Sequence, residues 1–234
     1  MASLRGLLAR AFRHPSGALL FVQLLGVLLY PLMEAAPRGR TFFGAFGLVV
    51  LLAALRMVRR SPGATWIAAV LATPLAVCSV LYVLTPTRPL LVATAALDAA
   101  FYFYAAGSLI AYMLQDLEVT TDEFFAAGAT FTLLAWAFAY LFVVCQAVNP
   151  GSFAAASPGS FRAVFNPLGE RTWMELLFLS FTTLSGVGLS DIVPLVPMAR
   201  ALVMLEELTG VMYIAVVVSR LVALTTIRRG RDAT

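Results

Sequence analysis

The sequence predicts an all-α membrane protein with six transmembrane helices and one short helix that enters the bilayer and turns back between the fifth and sixth. Three observations carry that expectation. Of 234 residues, 61% are hydrophobic and 12% charged, with a mean hydropathy of +0.91, which leaves too little polar surface to cover a globule in water. Apolar runs recur at 17–34, 42–58, 64–85, 89–115, 124–148 and 197–227. Each is long enough, or nearly so, to cross roughly 30 Å of hydrocarbon at helical rise. The apolar run 172–184 is too short to cross and return, so it is expected to enter and turn back.

The first element, residues 1–16, places Leu4, Leu7, Leu8 and Phe12 near one helical face and distributes Arg5, Arg10 and Arg13 around the other. It reads as an amphipathic helix on the membrane interface, too polar for a signal-peptide core. His14, the single histidine, sits between Arg13 and Pro15 and is assigned an interfacial role. Residues 17–115 hold four spans, and 116–234 hold the fifth span, a Gly-, Ser- and Pro-rich turret (149–170), the short helix and the sixth span. Six spans put both termini on one side. Ten arginines fall on that side and six, Arg38, Arg40, Arg88, Arg162, Arg171 and Arg200, on the other, so both termini are expected in the cytoplasm of a cell with this protein in its plasma (inner) membrane.

The junction of spans four and five carries Asp116, Glu118, Asp122 and Glu123 on the cytoplasmic side; acidic residues weigh little in the orientation rule. Thr120 or Thr121 with Asp122 and Glu123 reads as the capped, solvated start of span five, where carboxylates favour a helix N-terminus. Their spacing does not match a calcium loop.

Several function classes fall away. The net charge of +4 is carried by arginine without any lysine, and the arginines gather beside apolar runs, so nucleic-acid binding has no support. Cys78 and Cys145 lie in separate apolar runs without CxxC spacing and read as small buried residues rather than a disulfide or metal site. No His-rich, Ser/His or paired-carboxylate constellation suggests an enzyme or a cofactor.

The chemistry-bearing stretch is Thr182-Thr183-Leu184-Ser185-Gly186-Val187-Gly188-Leu189-Ser190-Asp191-Ile192-Val193-Pro194, followed by an inner helix opening at Pro197-Met198-Ala199-Arg200-Ala201. It resembles the pore region of the potassium-channel superfamily, whose usual form runs TTxTTVGYGDxxP. The resemblance spans residues 171 to about 227, roughly a quarter of the chain. It implies a pore helix ending at Thr182 and Thr183, a filter over Ser185, Gly186, Val187, Gly188, Leu189 and Ser190, and a permeant monovalent cation, potassium or also sodium. A dehydrated cation regains its solvation from carbonyl oxygens lining a narrow tube, and glycine lets successive carbonyls face inward. One hairpin supplies one wall, so a homotetramer in the lipid bilayer is expected. The alternative is a non-conducting scaffold or sensor.

Three positions depart from the usual motif. Gly186 stands where threonine is usual, Leu189 replaces tyrosine, and Ser190 replaces the second glycine. At Ser190 a left-handed backbone would cost on the order of 1 kcal/mol. These changes place cation conduction ahead of strict potassium selectivity. Asp191 at the outer mouth is expected either to concentrate cations in a ring of four or to hold the filter by hydrogen bonding.

Around the hairpin, Glu206 and Glu207 lie in the last span, where at least one is expected to face the pore helix and bond to Thr209, Arg200 or hairpin donors. Gly210 is a candidate gating hinge, with close helix packing as the equal alternative. Asp98, followed by Tyr102 and Tyr104, is expected to make a buried contact, a proton or ion sensor being the other reading. Span four carries no arginine at 89–115, so it cannot serve as a voltage sensor, and spans one to four read as a scaffold.

Overall fold

The computed structural model describes residues 15–35, 39–59, 64–115, 121–155 and 170–231. The expected interfacial helix (up to residue 14), His14, Asp116, Glu118, Thr120 and residues 156–169 of the turret lie outside these described residues. The elements run α1 (Pro15–Ala35), α2 (Gly39–Val58), α3 (Thr65–Leu84), α4 (Arg88–Met113), α5 (Thr121–Val148), β1 (Phe153–Ala155), α6 (Trp173–Leu184), β2 (Ile192–Pro194) and α7 (Pro197–Arg231). Among the described residues, Thr65–Leu84, Arg88–Met113 and Asp122–Val148 are long and apolar enough to cross a membrane. The apolar parts of α1, α2 and α6 are shorter: Ser16–Leu32, Gly44–Val58 and Trp173–Leu184.

Helix α5 is the central post, packed against α1, α4, α6 and α7. Its residues 132–139 form an unbroken buried run. Ala126, Ala129, Ala135, Ala137 and Ala139 are wholly buried, and residues this small let neighbouring helix backbones approach closely. Between them Trp136 sets its ring edge-on to Tyr102 of α4 at 5.8 Å and to Trp173 of α6 at 5.1 Å. Tyr30 of α1 (5.4 Å) and Tyr140 of α5 (5.9 Å) close on the same Trp173 ring. Two helices, α1 and α5, therefore grip the first residue of α6, with Tyr102 of α4 backing Trp136, and such ring pairs hold geometry as well as area.

An all-α reading needs one correction. β1 and β2 pair antiparallel, with Phe153 opposite Pro194, Ala154 opposite Val193 and Ala155 opposite Ile192. Leu195 adds a backbone N–H bond to the Ser152 carbonyl at 2.8 Å. The ribbon forms because the chain leaving α5 and the chain leaving the hairpin run side by side, and their exposed backbone groups satisfy each other. Phe153 anchors it against Phe142 of α5 at 5.2 Å.

The start of α5 also differs from a solvated cap. Asp122 accepts from the Ser16 hydroxyl (2.9 Å), the Ser16 backbone N–H (3.3 Å) and the Tyr112 hydroxyl (3.2 Å), joining α1, the end of α4 and α5. Glu123 is buried and pairs with Arg220 of α7 at 3.3 Å. Both carboxylates work inside the packing because three helix ends converge there.

Candidate functional site

Helix α6 begins with a reciprocal cap: the Glu175 backbone N–H donates to Thr172 Oγ1 (3.4 Å), and the Thr172 N–H donates to the Glu175 carboxylate (2.7 Å). One residue earlier, the Gln146 side chain of α5 clasps the backbone of buried Arg171. Its Nε2 donates to the Arg171 carbonyl at 2.8 Å, and its Oε1 accepts the Arg171 N–H at 3.0 Å. With Trp173 held by aromatic rings, the entry of α6 is fixed on three sides.

The other end of α6 folds into the hairpin. The Thr182 carbonyl accepts from the Val187 N–H (3.0 Å), the Gly188 N–H (2.9 Å) and the Ser185 hydroxyl (3.2 Å). The Thr183 carbonyl takes the Gly186 N–H at 2.9 Å. Gly186 and Gly188 adopt φ of +73° and +67°, a region that favours glycine, and alternate with Ser185, Val187 and Leu189. These turns use up N–H groups and leave carbonyls over. Those of Leu184, Ser185, Gly186, Val187 and Leu189 accept no hydrogen bond among the described residues. Residues 185–189 are exposed, and the C-terminal end of α6 adds its partial negative charge beneath them.

Ser190 overturns one expectation. No described non-glycine residue has a positive φ, so Ser190 carries no left-handed strain; within the hairpin the positive values fall at Gly186 and Gly188. Its hydroxyl accepts the Ile192 N–H at 3.1 Å, and its own N–H donates to the Gly188 carbonyl at 3.1 Å. A serine side chain that accepts this bond does part of the turning that a second glycine would otherwise do. Val187 and Leu189 point into open space, at 59% and 74% exposure, so neither side chain is packed behind the hairpin within one chain. Asp191 is exposed and has no hydrogen-bond partner among the described residues.

Behind the hairpin runs α7. Glu206 is fully buried and bonds to the Ser180 hydroxyl of α6, which also bonds to the Ala135 carbonyl of α5 at 2.7 Å. The expected partners are engaged elsewhere: Thr209 donates to the Leu205 carbonyl (2.7 Å), and Arg200 Nε donates to the Pro194 carbonyl (3.3 Å). Glu207 is exposed. Gly210, one turn after Glu206, is buried against the last residue of α6, and α7 passes through it unbroken. Asp98 is half-buried on α4, within electrostatic reach of Tyr102 and Tyr140, in the scaffold rather than at the hairpin.

The structure thus gathers Thr182 to Asp191 in one loop, with Glu206 and Gly210 behind it through α6. It leaves Asp98 and Glu207 apart. Three contributors went unseen in sequence: Ser180, Gln146 and the Glu123–Arg220 pair. Ser180 and Gln146 are isolated polar residues in apolar helices, a signal that marks a hydrogen-bonding position without naming the partner.

Residues 128–226 match the family model described as ion channel. No curated protein and no solved structure matches the chain. The matched stretch runs from the middle of α5 through the hairpin into α7, and it supports an ion channel of the potassium-channel superfamily.

Proposed function

We propose that four copies of this chain, each with six spans, assemble a pore-loop cation channel of the plasma membrane. Both termini face the cytoplasm, and potassium or several monovalent cations, sodium included, pass down their gradient without catalysis or cofactor. The observation that carries this reading is the run of donor-free carbonyls from Ser185 to Val187 and at Leu189, on an exposed turn at the C-terminal end of a buried helix. In an apolar setting each such group costs several kcal/mol unless water or a cation meets it. Main-chain oxygens from four symmetric walls replace a cation's water shell.

Exposed apolar side chains support assembly. Met204, Leu205, Leu208, Val211 and Met212 of α7 all stand at 55% exposure or more on the single chain, a surface suited to neighbouring copies and to an apolar pore wall. Asp191 stands free at the mouth, which favours a cation-concentrating ring over a brace behind the filter.

Purified protein in liposomes tests the reading: potassium, rubidium or sodium flux is the expected result. One observation favours the non-conducting scaffold, since the Gly188 carbonyl already accepts the Ser190 N–H. Absence of flux of all three ions at every pH and voltage would select it.

A further inference from the structure

We infer that Glu206 is a positioning residue for the filter, acting through Ser180 to lock the inner helix α7 onto the pore helix α6; the inference rests on the channel reading above. Ser180 is fully buried and its oxygen touches two groups from different helices, the Ala135 carbonyl of α5 at 2.7 Å and the Glu206 carboxyl of α7. A serine hydroxyl has one proton, and a backbone carbonyl only accepts. With Ser180 donating to Ala135, the bond to Glu206 is closed by a proton on the carboxyl. The second carboxyl oxygen, Oε2, is buried without a partner among the described residues, a position that suits the carbonyl oxygen of a neutral acid better than a full charge.

The node lies one helical turn from a second contact. Glu206 and Gly210 are four residues apart on α7, and Ser180 and Leu184 are four residues apart on α6, so both pairs sit on facing stripes. The lower pair sets the α7 backbone against Leu184, the residue just before the donor-free run of the exposed turn. Movement of α7 is thereby passed to the foot of the filter through Gly210, while Glu206 fixes the register in which the two helices meet. Because Ser180 also holds Ala135, the same hydroxyl keeps α6 at a set distance from the central post.

The test is the relative permeability of potassium, rubidium and sodium, read as reversal potentials in bilayers containing the full-length protein. Glu206→Met and Ser180→Ala each remove the bond and are expected to shift the ratios about fivefold, the effect of one hydrogen bond's net worth. The double variant is expected to shift them no further than Ser180→Ala alone, which also frees the Ala135 carbonyl. Glu206→Gln keeps both a donor and an acceptor and is expected to restore the original ratios. Equal shifts in Glu206→Gln and Ser180→Ala, unchanged ratios in Glu206→Met, or additive effects in the double variant would overturn the inference. If Glu206→Met or Ser180→Ala does not assemble, Glu206→Gln with Ser180→Thr carries the test: a shift of fivefold in either, with the hydroxyl and hydrogen-bonding groups retained, overturns it. Absence of flux in the unmodified protein is a different result, and it removes the channel reading itself.

Discussion

Gly210 of α7 lies against the backbone of Leu184, the last residue of α6, so closely that a Cβ on Gly210 would meet the Leu184 carbonyl oxygen and come within 2.7 Å of its carbonyl carbon. The obstacle is main chain, which cannot swing aside as a flexible side chain does. Gly210→Ala is therefore expected to destabilise the protein by about 1–3 kcal/mol through overpacking. Thermal unfolding of the detergent-solubilised protein measures it. An unchanged melting temperature would show that the two helices separate at little cost, as a hinge at this position requires.

Gln146 makes two hydrogen bonds to the backbone of buried Arg171, and neither Arg171 group has solvent to turn to. Gln146→Leu is expected to cost about 2–4 kcal/mol, since each orphaned buried group costs about 1–3 kcal/mol. The loss should appear as a lower melting temperature together with faster proteolysis around residue 171.

The Glu123–Arg220 pair joins the start of α5 to the far part of α7, with 5% and 15% of the two side chains exposed. Removing Arg220 takes this ion pair from a buried carboxylate, so Arg220→Leu alone is expected to cost about 3–5 kcal/mol. The Glu123→Leu/Arg220→Leu double variant is expected to recover most of that loss. A double variant as unstable as the single one would mean that the ions serve other contacts.

Gly186 and Gly188 have positive φ and open space where a Cβ would stand. Substitution there acts on backbone conformation alone, at about 1–2 kcal/mol. Gly188→Ala is expected to abolish flux while the protein still assembles, and D-alanine at the same position, which prefers positive φ, is expected to restore it. Failure of the D-residue to rescue would indicate that the side-chain volume matters, not the handedness.

Asp191 stands exposed at the end of the glycine hairpin. Asp191→Asn is expected to reduce unitary conductance at low ionic strength and to leave it nearly unchanged near 1 M salt, where screening acts within about 3 Å. A reduction of equal size at both salt concentrations would point to a structural role.

Much of the hairpin was legible beforehand because its signals are local. The short apolar run that becomes α6, the glycine alternation and the proline opening α7 each act within a few residues, where backbone sterics and apolar length decide the outcome. The handedness at Ser190 was not legible. It depends on how the Thr182 carbonyl collects three donors and on the Ser190 hydroxyl turning toward the Ile192 N–H. The ribbon of Phe153–Ala155 with Ile192–Pro194 was missed for a similar reason, since neither three-residue strand has a pattern long enough to read.

By itself the sequence determined a helical membrane protein with one short helix, a glycine hairpin and a long following helix, all set by apolar length and backbone permissiveness. Tertiary structure alone decided which polar groups meet. Ser180 finds Glu206 across 26 positions, Gln146 finds Arg171 across 25, Glu123 finds Arg220 across 97 and Ser16 finds Asp122 across 106. A lone polar residue in an apolar helix must find a partner, but the partner's identity follows from how close the alanines of α5 let the other helices come.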